Sequence, residues 1–143
     1  MSVERAEYER IAIPIDLEAL SLEAPAFAHA VTLRAAAGAP IFLVTVVGPG
    51  PHPSGLAGAD QETALRSLAD QARARFGVPF QSEVLREADP AATCNDALER
   101  YFAGHDIELV VTSSHCPRFS DHWLPAHGQW LAAHSARSVL LLR

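Results

Sequence analysis

Four stretches of the chain are largely apolar at consecutive positions rather than at every second one: Ile11 to Ile15, Ile41 to Val47, Ile107 to Thr112 (interrupted by Glu108) and Ser138 to Leu142. Runs of this kind predict strands buried on both faces of a parallel sheet. Phe80 to Leu85 is more polar and partly alternating, which predicts an edge strand. Helical periods fill the intervals. Ala24, Phe27, Ala28, Val31 and Ala35 mark one face, and Gly38 is placed to close that helix. Leu65, Leu68, Ala69, Ala72 and Phe76 mark a second helix, closed by Gly77. A third opens on Asp89-Pro90, an N-cap residue followed by proline at the first helical position, and buries Cys94, Ala97, Leu98, Tyr101 and Phe102. A fourth is predicted over about Trp123 to Ala133.

Strands alternating with helices predict βαβ units, and right-handed crossovers assemble them into a doubly wound open α/β sheet. No internal repeat or boundary divides residues 1–143, so one domain is expected. Gly48 to Asp60 holds four glycines and three prolines and predicts a long flexible loop. That loop leaves the second strand at its carboxyl end, on the edge where open α/β sheets bind ligands.

Composition narrows the function classes. The chain is 49% hydrophobic and 20% charged, which favours a packed globule over disorder. Its net charge of −6 and the lack of any basic run or aromatic-basic face argue against a nucleic-acid surface. Met1 to Glu7 has no basic segment leading into an apolar one, and no apolar stretch approaches the roughly 20 residues that span a bilayer. A cytoplasmic protein with no membrane partner is therefore expected. Cys94 and Cys116 form no disulfide framework.

The tail gathers chemistry-bearing side chains without a catalytic or metal signature. His115, Cys116, His122, His127 and His134 are all metal-capable. However, His122 and His127 are five apart and His127 and His134 seven apart, so neither pair has the i, i+4 spacing that puts two imidazoles on one helical face. Surface histidines are the expectation and no metal site is assigned; zinc is the alternative. Ser113 or Ser114 with His115 and Asp121 supplies the residue types of a nucleophilic triad, but no Gly-x-Ser-x-Gly elbow accompanies them. Trp123 and Trp130, seven apart, suit core or dimer packing. No catalytic residue is assigned; a metal-dependent or hydrolytic enzyme is the outlying reading.

Several segments together resemble the universal stress protein family. They are Pro14-Ile15-Asp16 at the first strand, Thr45-Val46-Val47 at the second, Arg86-Glu87-Ala88-Asp89-Pro90 before the third helix, Val110-Val111-Thr112-Ser113-Ser114-His115 at the fourth strand, and the terminal Ser138 to Arg143. The resemblance implies an adenine nucleotide alpha hydrolase-like three-layer sandwich with a five-stranded, mainly parallel sheet of order 3-2-1-4-5. It also implies dimers paired through the last strand, here Val139, Leu140, Leu141 and Leu142. An edge strand with open N–H and C=O groups suits such a homodimer on physical grounds as well.

In nucleotide-binding members of that family the residues matching Ile15, Asp16 and Val46 lie near the adenosine, and phosphates rest on a loop patterned G-x-x-G followed, after a spacer, by G-S/T. Mapped onto this chain, those loop positions are Ser113, Cys116, Pro125 and Ala126, with Ser114 and His115 between the first two. Cysteine adds a Cβ where glycine allows close approach, proline has no N–H to donate, and alanine has no hydroxyl. The expectation is a non-catalytic, dimeric regulatory module in stress response that acts through an unidentified protein partner, with a degenerate nucleotide site and no required cofactor. An ATP- or AMP-binding sensor is the alternative. Asp16 itself carries two readings: a nucleoside contact, or a residue that caps a helix or holds a loop.

Overall fold

The apolar runs become the strands of one parallel sheet in the computed structural model, which describes residues 7–50, 52–113 and 137–142. The strands are β1 (Ile11–Pro14), β2 (Ile41–Val47), β3 (Phe80–Arg86), β4 (Leu109–Ser113) and β5 (Ser138–Leu142). The helices are α1 (Pro25–Leu33), α2 (Gly58–Phe76) and α3 (Pro90–Gly104). The sheet order is β3-β2-β1-β4-β5, and every adjacent pair is parallel. All seven residues of β2 are buried, as an interior strand covered on both faces requires. In β3, Gln81 and Glu83 are exposed beside buried Phe80, the pattern of an edge.

The sheet separates two cores. On one face Ile11, Ile13, Ile41 and Leu43 pack with Phe27 of α1 and Leu65, Leu68 and Ala72 of α2. Phe27, Phe76 and Phe80 form a ring cluster there, with centroids 5.9 to 6.2 Å apart. On the other face Ala12, Phe42, Val44, Val46 and Val110 meet Cys94, Ala97, Leu98, Tyr101 and Phe102 of α3. Those five α3 residues are the ones its periodicity marks, so Cys94 is a core residue. Burial pushes the Tyr101 hydroxyl well above its ordinary range, with the nearby Glu83 charge adding to the effect.

Three sequence expectations need correction. The first helix ends at Leu33, well before Gly38, because Arg34 turns extended and bridges to Tyr8; its guanidinium then bonds the Gly38 and Ala39 carbonyls. Its buried residues are Ala26, Phe27 and Ala30, while Ala28 is exposed. The loop expected over 48–60 ends at Ala57, since Gly58, Ala59 and Asp60 form the first turn of α2. The fourth strand starts at Leu109: Ile107 is still in the connection, its N–H bonded to Phe102 O. Asp89 does occupy the N-cap of α3, but through its carbonyl, which accepts the N–H groups of Ala92 and Thr93, and not through its side chain. The expected helix over Trp123 to Ala133, with Trp123 and Trp130, lies outside the described residues.

Replacing Phe80, which is 1% exposed, by alanine removes the centre of the ring cluster. A loss of about 3–5 kcal/mol is expected, read as a lower denaturant midpoint at an unchanged slope.

Candidate functional site

A sheet whose first strand lies in the middle has a topological switch point there. The connection from β1 leads to β2 on one side, and β4 closes the other side. In open α/β sheets the strand ends at such a point diverge into a crevice that can hold a ligand. Here the two strands are β1 and β4, registered Ile11 to Leu109 and Ala12 to Val110. Continuing that register sets Thr112 opposite Pro14, with Asp16 just beyond.

β1 leaves the sheet in an ordered way. Ile15, buried, donates its N–H to Val44 O at 2.7 Å, and the Asp16 carbonyl accepts from Ala19 N–H at 3.0 Å. Asp16 Oδ1 accepts the Glu18 N–H at 2.9 Å, closing a turn of the kind aspartate favours. The loop-holding role weighed for Asp16 is therefore real for one oxygen. The other, Oδ2, is buried and has no hydrogen-bond partner among the described residues. Burial raises the Asp16 carboxyl above its ordinary 3.8. The Glu18 N–H bond works against that, the Glu18 charge adds to it, and His52 draws it back down.

Thr112 presents a second orphan. It is 1% exposed, and its Oγ1 also has no partner among the described residues. Buried polar atoms are nearly always bonded, so these two oxygens stand out at the ends of adjacent strands; Asn95 Oδ1 and Glu99 Oε1 on α3 are unpartnered in the same way. Val46, buried at the end of β2, contributes an apolar wall from the α3-side core. Ser113 ends β4 in register with Leu142. Ser114, His115, Cys116, Pro125 and Ala126 lie outside the described residues, as do His122, His127 and His134.

His52 lies in the loop after β2. Its carbonyl accepts Gly55 N–H at 2.8 Å, and its Nδ1 accepts Ser54 N–H at 3.1 Å with Ser54 Oγ at 2.8 Å. With Nδ1 accepting, the neutral ring carries its hydrogen on Nε2. Gly50 and Gly55 take φ of +83° and +84°, which lets the segment fold back on itself. On the other flank of this loop a cleft of about 580 Å³ opens at the ends of β2 and β3, lined by Gly48, Gly50, Ala57, Gly58, Arg86 and Glu87. Asp16 does not border it.

Sequence reasoning picked out Asp16 and Val46 but missed Thr112 and His52. A threonine closing an apolar run reads as strand, and a histidine inside a Gly-Pro segment reads as loop. Among the described residues no three His, Cys, Asp or Glu side chains gather as a metal site, and no helix is long and apolar enough to cross a membrane. Val139, Leu140, Leu141 and Leu142 are half-buried on β5, beyond which no further strand lies among the described residues.

Because Asp16 is harder to ionise in the folded chain, the protonated form favours the fold. That contribution is complete below pH 3.8 and is lost as pH rises through the raised value. Asp16→Asn keeps an acceptor for Glu18 N–H and removes the charge. It should raise the melting temperature at neutral pH and lose that gain as pH falls below 3.8. An equal gain at both pH values would mean that charge burial is not the cause.

The profile described as "Universal stress protein family" matches residues 7–143. Among solved structures, one of a protein from that family from Burkholderia pseudomallei is 25% identical, with TM-score 0.61, covering 94% of this chain and 96% of that one. The universal stress protein from Archaeoglobus fulgidus in complex with dAMP is 14% identical, with TM-score 0.65, covering 95% and 98%. A universal stress protein in complex with cAMP is 17% identical, with TM-score 0.63, covering 95% and 97%. No curated protein matches the chain.

Proposed function

The chain belongs to the universal stress protein family. On that premise we propose that it is a non-catalytic, cytoplasmic binding module whose crevice between β1 and β4 takes the nucleoside end of an adenine nucleotide and holds the phosphates weakly. The observation that carries this reading is the pair of buried, unpartnered oxygens, Asp16 Oδ2 and Thr112 Oγ1. Acceptors so placed suit ligand hydroxyl and amino hydrogens. Two structural relatives were solved with dAMP and cAMP, ligands that carry a single phosphate group.

Charge argues the same way about the phosphates. The groups that act electrostatically on Asp16 are Glu18, which repels an anion, and His52. Cys116, Pro125 and Ala126 stand where nucleotide-binding members carry glycine, glycine and a hydroxyl residue. Each change removes backbone approach, an N–H donor or a side-chain donor from the phosphate loop. In this reading Ile15, Asp16, Val46 and Thr112 hold the nucleoside, and Ser113, Ser114 and His115 meet whatever phosphate remains. Signalling then passes through a partner protein rather than through hydrolysis.

Titration calorimetry of ligand-stripped protein with adenosine, AMP, ADP and ATP, with and without Mg²⁺, tests this. Similar affinities across the series are expected. Asp16→Ala should weaken AMP binding by about 10- to 100-fold, the worth of a charged hydrogen bond. ATP binding at least ~10-fold tighter than AMP would show a working phosphate loop and replace this reading with a triphosphate sensor. Silence for all four would remove the nucleotide from the proposal.

The module acts as a two-fold dimer paired through β5, where Val139, Leu140 and Leu141 supply half-buried apolar side chains at the sheet's outer edge. Light scattering at micromolar concentration should give twice the chain mass. A monomer mass there would refute the pairing.

A further inference from the structure

β3 is an end strand of the sheet, and no described strand lies beyond it. Its inner edge is bonded along its whole length. Pro79 O accepts the Ile41 N–H and Glu87 N–H donates to Val47 O, both at 2.9 Å, and the register runs unbroken from Ile41 with Phe80 to Val47 with Arg86. In a parallel ladder, alternate residues of a strand bond to a given neighbour. The odd-numbered residues of β3 therefore bond to β2, and Ser82, Val84 and Arg86 aim their N–H and C=O groups off the sheet.

Two clefts flank this open edge. One, of about 270 Å³, lies on the α2 side and is lined by Glu62, Arg66, Ser82, Glu83 and Val84. The other, of about 540 Å³, runs from Leu85 and Glu87 to Ala97, Arg100 and Tyr101 of α3. α2 runs antiparallel to β3, since Glu62 bonds Arg86 at 3.2 Å while Arg66, one turn later, borders Ser82. Glu62 and Arg66 thus straddle Val84. Arg66 is exposed, and none of the ion pairs among the described residues uses it.

Charges along an edge strand ordinarily keep a second copy away. These do not, because a two-fold axis brings opposite signs together. With β3 antiparallel to its own copy and the axis at Val84, the outward groups of Val84 meet those of the partner's Val84, and Ser82 meets the partner's Arg86. Glu83 lies across from the partner's Leu85, and Arg66 comes beside the partner's Glu62, twice by symmetry. Centring the axis on Glu83 would set that carboxylate against itself. We propose that the β3 edge is a second self-association surface, where another copy of this chain adds its own β3 about a two-fold axis at Val84. A foreign strand would find the same backbone groups, but the placing of Glu62 and Arg66 about Val84 matches this chain's own copy. A contact made of exposed charges and backbone bonds is weak, so it forms above the concentrations at which β5 pairs and joins those dimers edge to edge. It depends neither on the nucleoside reading nor on the β5 pairing.

Sedimentation velocity of the full-length protein, from micromolar to millimolar concentration, should show mass growing beyond the β5 dimer. Residue-resolved hydrogen exchange should find the Ser82, Val84 and Arg86 N–H groups open at low concentration and protected at high. Arg66→Glu and Glu62→Arg, each alone, should weaken the association about 10-fold, because like charges then face each other twice across the axis. Mixed in equal amounts, the two variants should associate again, since each presents the charge the other lacks. Ser82→Pro removes an outward N–H without breaking a bond to β2 and should abolish the growth in mass while the fold is kept. Arg66→Glu and Ser82→Pro carry the test if Glu62→Arg, which loses its bond to Arg86, does not fold. If β5 does not pair, growth starts from the monomer and stops at the dimer, and the proposal stands. No growth at any concentration would overturn it and leave the edge to a strand of another protein. Growth that leaves the three amides open, or a mixture that associates no better than its components, would overturn it as well.

Discussion

The pairing of β1 with β4 is the contact on which the rest of the structure depends. Two strands distant in sequence must meet in one register, and the meeting is fixed at its base by Glu108. The Glu108 carboxylate accepts the N–H groups of Glu9 and Arg10, at 2.8 and 3.1 Å, while Arg10 O accepts those of Glu108 and Leu109. Arg10 adds a bond from its guanidinium to His105 O, which ties in the end of α3. A slip of one residue would send every β1 side chain to the wrong core. It would also part Asp16 from Thr112 at the far end of the strands. A charged residue at the foot of the sheet thus determines the geometry at its top.

A second anchor works on the outer strand. Arg137 precedes β5 and reaches Glu99 Oε2 on α3 at 2.5 Å, Ile107 O at 3.0 Å and the face of the Phe102 ring. Both partners of that ion pair are largely buried, so its value is positional more than energetic. It sets β5 beside β4 in the register that runs from Leu109 with Ser138 to Ser113 with Leu142.

Much of this was legible in the sequence because burial leaves a mark on composition. β2 and β5 occupy the residues their apolar runs mark, and α3 buries the five residues its period selects. Legibility failed where composition carries no contrast. In the alanine-rich first helix, alanine suits both the buried and the exposed face, so the period could not separate Ala26 from Ala28. Gly58 reads as loop, yet it stands in the first turn of α2, where its carbonyl accepts from the Arg86 guanidinium. In the site, Asp16 was visible as an acid ending an apolar strand. Thr112 was not, because its importance lies in what it neighbours across the fold rather than in what precedes or follows it.

The complete burial of β2 has one further consequence. Val46, the last residue but one of that strand, belongs to the same packed core as Cys94, Leu98 and Phe102. Side chains in such an interior sit in single rotamers with little freedom left to lose. The ordering entropy of this wall is therefore spent when the chain folds and not when a guest arrives, and discrimination among guests falls to shape rather than to accommodation.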